Sequence, residues 1–229
     1  MSFSDPDAVA QYADNLVRQV PGVHALHQMT HVLLAEHVPP QEGRVLVLGA
    51  GGGMELKAFA EASPSWRFTG VDPSAEMLGL AKRVLGVELS ARVEMIEGYI
   101  DSTPDTAFDG ATCLLTLHFL SAEDRLETLC ALRRRLKPGA PLIIAHHSVP
   151  SGPLEKHRCF QRWAAFVAAR GLAGETAAAR ADSIANRLPT LSPEQEIAML
   201  EEAGFERPDL FYAALSFRGW VAYAGDAHG

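Results

Sequence analysis

The stretch Val45-Leu-Val-Leu-Gly49-Ala-Gly51-Gly-Gly53-Met-Glu55 limits what this chain can fold into more than any other. Its leading apolar residues, Val45 to Leu48, predict a short strand buried on both faces. Glycines follow at once. Glu55 to Glu61 then supplies good helix formers with an apolar stripe at Leu56, Phe59 and Ala60. Strand, glycine turn and helix make the first unit of an open α/β sheet. Such sheets bind ligands beyond the carboxyl ends of their strands, where glycine, lacking a Cβ, lets a ligand approach the backbone.

The spacing Gly-x-Gly-x-Gly at 49, 51 and 53 departs from the dinucleotide fingerprint, whose sixth position needs Gly or Ala and is Met54 here. A second strand is predicted at Trp66 to Val71, with Asp72 at its carboxyl end and Ser74 as the N-cap of a helix through Leu85. Asp72 lies nineteen residues beyond Gly53, about where an acidic side chain can take the ribose hydroxyls of an adenosyl ligand. The plainer alternative is a carboxylate that starts the next helix. Further strands are predicted at Arg92 to Glu97, Phe108 to Leu115 and Pro141 to Ala145, with a helix at about Ala122 to Leu136. Strands alternating with helices in this way mean βαβ units and a parallel sheet. A helix starting at Ser192-Pro193 and two closing strands, about Asp209 to Ala214 and Ser216 to Tyr223, complete the pattern.

Ahead of the glycine stretch, Asp5 or Asp7 can cap a first helix reaching about Val20, and a second runs from about Val23 to Val38. His24, His27 and His31 share one face of the second helix. No carboxylate or cysteine joins them, so a polar helix face is expected rather than a metal site. The region from about 149 to 191 breaks the βα rhythm and reads as two helices, Leu154 to Ala169 and Glu175 to Leu188. The first carries Phe160, Trp163 and Phe166 among basic residues; a helical cap at the open end of the sheet and a dimerisation arm fit equally. A chain of 229 residues, 48% apolar, suits a single domain over 1–229, with its N-terminal helices in 1–40. Twenty-eight acidic against 20 basic side chains argue against nonspecific binding to nucleic acid or anionic membrane. There is no membrane-length apolar run and no signal-like start, and Cys113, Cys130 and Cys159 lack metal or redox spacing, so a cytoplasmic protein is expected.

In order, VLVLGAGGG, GVDPSAEML, IEGYID, FDGATCLLTLHFL, LRRRLKPGAPLII and EEAGF resemble the motifs of the class I S-adenosylmethionine (SAM)-dependent methyltransferases over nearly the whole length. The resemblance implies a Rossmann-like α/β fold: a seven-stranded mixed sheet, six strands parallel and one antiparallel, with helices on both faces. It implies that Gly49, Ala50, Gly51 and Gly53 bracket the methionine part of SAM. Asp72 would take the ribose, with Pro73 and Met77 beside the adenine, Tyr99 and Ile100 flanking it, and Leu115 and Thr116 below the sulfonium. Two positions depart from the family. Val47 stands where an acid is frequent, and Tyr99 follows Gly98 where an aspartate is usual, leaving Glu55 or Asp101 to substitute.

A narrower similarity joins Phe3-Ser-Asp5, Val9-Ala10, Arg18-Gln-Val-Pro21-Gly22, the inserted helices and Glu201 to Phe205 to the carboxy-S-adenosylmethionine synthases. Those are methyltransferase-fold enzymes of tRNA wobble-uridine modification that carboxylate SAM using prephenate. That family's asparagine after the fourth strand falls at Leu114 here, its tyrosine after Pro-Gly is Val23, and its inserted-helix arginine falls near Arg180 or Ala181. Shared architecture with different chemistry is therefore expected. The expected function is metal-independent methyl transfer from SAM, leaving S-adenosylhomocysteine, to a small-molecule acceptor. A compact tRNA acceptor, carboxy-SAM synthesis and a noncatalytic SAM-binding module are the alternatives, and a homodimer through the inserted helices is an open partner reading. Candidate bases are His146 and His147 after the fifth strand and His118 after the fourth. Adjacent strand residues face opposite sides, so only one of His146 and His147 should face the cleft; a polar strand end is the competing account.

Overall fold

The computed structural model describes residues 11–104, 106–171 and 174–225; the candidate caps Asp5 and Asp7 lie outside them. The strands are β1 (Arg44–Leu48), β2 (Arg67–Asp72), β3 (Val93–Glu97), β4 (Gly110–Leu114), β5 (Pro141–His147), β6 (Phe205–Ala214) and β7 (Phe217–Ala224). They form one sheet in the order β3-β2-β1-β4-β5-β7-β6. β1 to β5 pair in parallel, and β7 runs antiparallel to both β5 and β6. This is the expected arrangement of six parallel strands and one reversed.

The helices are α1 (Tyr12–Gln19), α2 (Val23–Ala35), α3 (Met54–Ala62), α4 (Ala75–Ser90), α5 (Ala122–Arg134), α6 (Pro153–Ala169), α7 (Gly174–Arg187) and α8 (Pro193–Glu202). Along β1, Val45 and Val47 enter one core layer with Leu26 and Leu34 of α2 and Phe59 of α3. Leu46 and Leu48 enter the other with Leu129 and Leu132 of α5 and Leu200 of α8. Successive strand residues point to opposite faces, so a strand covered on both sides reads as an unbroken apolar run.

β5 runs on to His147, past the expected Ala145, and three other boundaries differ from the sequence expectation for a visible local reason. α4 continues past Leu85, but its backbone breaks at Gly86 (φ 66, ψ −177) before resuming. α2 stops at Ala35, where the His37 and Val38 amides both turn back to the Leu34 carbonyl. β6 starts at Phe205, because Gly204, at φ 87, turns the chain straight from α8 into the sheet.

The inserted helices pack on the molecule's own sheet. Phe160, Trp163 and Val167 of α6 and Ala181 of α7 belong to the core layer containing Val45 and Val47. The rings of Phe160 and Trp163 lie 5.3 and 5.8 Å from that of His147, at the end of β5. Phe160 and Trp163 are part of that core, and Phe166 packs against it. On the opposite face of the sheet, α5, β5 and α8 meet at a buried polar group. Glu196 accepts a hydrogen bond from Arg125 and lies 2.9 Å from His146 Nε2, while the Arg125 guanidinium also donates to the Pro189 carbonyl at 2.9 Å.

Candidate active site

The glycine turn is tied to the end of β2. The amides of Gly49 and Ala50 donate to the Val71 carbonyl at 2.8 and 2.9 Å. The Gly51 amide donates to one Asp72 carboxylate oxygen and the Ser74 amide to the other, each at 2.9 Å. Burial raises the Asp72 carboxyl, and these two bonds oppose the rise. Gly49, Gly51 and Gly53 all have left-handed backbones. A Cβ on Gly53 would stand 2.8 Å from Ala81 of α4, and one on Gly49 would meet the Thr116 hydroxyl at 2.0 Å. The turn therefore lies flat against α4 and the end of β4, with room for backbone only.

Above the turn is a small pocket lined by Tyr12 and Leu16 of α1, His27 of α2, the turn itself, Met54, Glu55, Leu114 and Leu115. Glu55 is buried and accepts a hydrogen bond from Thr112 at 3.2 Å. Burial pushes its carboxyl up to about 8, with the Asp72 charge adding to the rise. Asp101, the other substitute foreseen for the amine contact, is 86% exposed and lies 3.9 Å from Arg135. Of the two acids only Glu55 lines this pocket. Leu115 holds a left-handed backbone (φ 60), its amide bonded to the Ala145 carbonyl, which turns the chain toward Thr116. Met77 and Ile100 are buried, Pro73 is exposed, and Tyr99 is 69% exposed beyond β3. The glycine turn, Asp72, Leu115 and Thr116 thus gather at one edge of the sheet.

The three proposed bases do not line this pocket, and neither His146 nor His147 faces it, contrary to the expectation that one of them would. His146 is fully buried beside Glu196 and Trp220. His147 is stacked on Phe217 at 3.9 Å with Nδ1 2.9 Å from the Ser216 hydroxyl, and burial lowers it to about 3. His118 is buried, and its Nδ1 accepts the His147 amide at 3.3 Å. A neutral His118 therefore keeps its proton on Nε2 and is a donor there. Burial, then His147 and His146, hold it well below the usual histidine value. The physical reasons lie on the two faces of β5: α6 covers His147 on one, and Glu196 of α8 with Trp220 of β7 encloses His146 on the other, which local sequence alone does not show.

Among the pocket residues that sequence reasoning passed over, two carry polar side chains, Tyr12 and His27. His27 was visible only as part of a histidine-bearing helix face, and Tyr12 carried no local signal. His24 is exposed, while His31 bonds Ser63 at 2.8 Å and stacks near Phe59 and Trp66, so the three histidines do not converge. Among the described residues no group of three or more metal-ligating side chains is placed to hold a metal ion. No described helix is long and apolar enough to cross a membrane.

The methyltransferase-domain family matches residues 45–139. The carboxy-S-adenosyl-L-methionine synthase of Chromohalobacter salexigens is 28% identical over 96% of this chain and 82% of its own length. That of Wolinella succinogenes is 24% identical over 97% and 93%. Among solved structures, the CurJ carbon methyltransferase superposes with a TM-score of 0.69 at 17% identity, covering 97% of this chain and 61% of its own. Human N-acetylserotonin methyltransferase, solved in complex with SAM, gives 0.67 at 16%, covering 97% and 57%. This chain thus spans about three-fifths of those two chains. Residues 45–139 thus match the methyltransferase-domain family, and the chain as a whole shares the fold of these solved methyltransferases.

Proposed function

We propose that this chain transfers a methyl group from SAM to a small-molecule acceptor. The observation that carries this reading is the Asp72 carboxylate, fastened to the Gly51 amide at the joined ends of β1 and β2, with Glu55 facing the pocket beside it. Those residues suit SAM. Each Asp72 oxygen accepts one backbone amide and keeps a lone pair for a ribose hydroxyl. Glu55, raised by burial, ionises once an ammonium group lies against it. The flat glycine turn admits a ligand against its backbone. When bound, SAM supplies a methyl group on a cationic sulfur, already activated for transfer.

The work left to the protein is alignment, which supplies on the order of 7–11 kcal/mol of barrier lowering when the attacking atom is held in line. Leu115 and Thr116, fixed by the bend after β4, would set that line from below. His118, His146 and His147 lie outside that pocket, and unchanged turnover in His118→Ala, His146→Ala and His147→Ala would dismiss a base role for any of them. The net acidic charge supports a small acceptor over a nucleic acid.

A second reading, carboxy-SAM synthesis, is favoured by relatives of that name that match almost the whole chain. Against it, the position of that family's asparagine is Leu114, which is buried. Mass spectrometry of small molecules released from the purified protein separates the readings. SAM or S-adenosylhomocysteine supports methyl transfer, and carboxy-SAM overturns it.

A further inference from the structure

At the end of the sheet away from the glycine turn, three neighbouring strands start on a row of arginines. Arg44 opens β1 and Arg67 opens β2, and the two stand in register. Arg92, just before β3, stands beside Arg67, because Phe68 pairs with Val93 one step on. Among the described residues no carboxylate lies within ion-pair distance of any of the three. Asp109 is engaged otherwise: one oxygen accepts the Arg44 amide at 2.9 Å and the other the Lys137 ammonium at 2.5 Å. The Arg92 guanidinium donates to the carbonyls of Ala60, Ser63 and Trp66 at 2.7 to 3.2 Å, which fixes its place and leaves its charge without a counterion. The Arg44 guanidinium lies over the Phe108 ring, 5.4 Å from its centre, and donates to the Thr106 hydroxyl at 3.4 Å. Arg67 is exposed.

These arginines, with Thr69, Glu94 and Phe108, line a cleft of about 290 Å³. Its origin is topological. A crossover between parallel strands usually carries a helix that covers the sheet. Between β3 and β4 the described residues form only a single turn, Ile100–Ser102, so β3 stays half-covered and Glu94 exposed. The volume falls at the small end of small-molecule sites, which run to roughly 300–1,000 Å³. The five residues of β1, roughly 16 Å of extended chain, separate the cleft from the glycine turn.

Like charges side by side on neighbouring strands destabilise one another, and a bound anion relieves that cost. Neighbouring strands lie about 4.8 Å apart, so Arg44 and Arg67 can share one anion. A carboxylate has two oxygens, which a single guanidinium fork fills, whereas a phosphate has enough for two forks. We propose that this cleft is a phosphate site, taking free phosphate or the phosphate ester of a small molecule between Arg44 and Arg67, in the field of Arg92. Glu94 is the opposing charge in its lining and weakens the hold. The site is independent of the SAM reading above.

The test is calorimetric titration with inorganic phosphate and with glycerol phosphate, at constant ionic strength and with saturating S-adenosylhomocysteine present. At least one probe binds at one site per chain. Arg44→Gln and Arg67→Gln each weaken it by about 10- to 100-fold, the scale of hydrogen bonds between charged groups. Both arginines are exposed, so replacing them leaves the core intact. Glu94→Gln tightens binding by about two- to fivefold, the scale of one exposed charge. Arg158→Gln, which changes an exposed arginine of α6, leaves it unaltered. Tighter binding of glycerol phosphate makes the occupant an ester, and tighter binding of inorganic phosphate makes it the free ion. No binding of either probe to the wild type, wild-type affinity in both Arg44→Gln and Arg67→Gln, or an equal loss in Arg158→Gln overturns the site.

Discussion

Replacing Glu196 with alanine tests whether the polar group between α5, β5 and α8 is a true buried ion pair. Arg125, Glu196 and His146 are all fully buried, and Glu196 is the residue that touches both others. Burial alone would raise the Glu196 carboxyl, but His146 and Arg125 beside it hold it below the usual range. The pair is therefore ionised at neutral pH, and its contribution fades as pH falls through that depressed value. Removing the carboxylate leaves the Arg125 charge without a counterion in the core, which costs about 3–5 kcal/mol. With a urea m-value of roughly 2 kcal/mol/M, the unfolding midpoint falls by about 1.5–2.5 M. Equilibrium urea unfolding, read by far-ultraviolet circular dichroism and tryptophan fluorescence, gives the number. The double variant Arg125→Met with Glu196→Leu removes both charges at similar volume and should return to within about 1 kcal/mol of wild type. A loss under about 1 kcal/mol for Glu196→Ala, or a double variant as unstable as the single, would refute the reasoning.

Three further outcomes are expected. Asp72→Ala should weaken S-adenosylhomocysteine binding by about 10- to 100-fold in calorimetry, the scale of one or two hydrogen bonds to a charged group; unchanged affinity removes Asp72 from the ribose. Gly53→Ala forces a Cβ to 2.8 Å from Ala81 at φ 79 and should lower stability by about 1–3 kcal/mol in thermal melts, whereas an unshifted melt means α4 yields freely. Stability should also fall on acidification from about pH 6.5 toward 4.5. Burial lowers His27 to about 4 and His147 to about 3, and His118 well below its ordinary value, so these histidines stay neutral when folded and take protons when unfolded. Their contribution is full above the unfolded value and lost as pH falls. Glu55, raised to about 8, works in the opposite direction, since its contribution is lost as pH rises. The sum is a slope of about 1–3 kcal/mol per pH unit, and a flat profile of urea midpoints across that window contradicts it.

The parts of the fold written in local pattern were legible from the sequence. Val45 to Leu48 and the glycines announce their own geometry, because a doubly buried strand must be apolar and a turn pressed on Ala81 must lack a Cβ. Asp72 was legible for the same reason, standing where the strand ends. What could not be read depends on distant segments. Tyr12 reaches Gly52 across forty residues only because α1 folds back at Gly22. His146 and His147 read as a polar strand end until α6 is laid over His147 and α8 and β7 over His146. Glu55 and Asp101 were equal candidates by composition. The fold separates them, since Glu55 begins a helix facing inward and Asp101 lies on an exposed single turn after β3.

β7 is the last strand described along the chain yet lies inside the sheet, between β5 and β6. As the chain leaves the ribosome, everything needed for the glycine turn and its strands β1 to β4 emerges first. β5 must then wait, with one row of backbone amides and carbonyls from Pro141 to His147 unpaired, until residues up to Ala224 have been made. An open strand edge of that kind invites pairing with another chain. Each newly made molecule thus passes through a stage in which its glycine turn is assembled while β5 is still adhesive. Shortening the chain within β7 would prolong that stage, and would harm yield before it touched the turn.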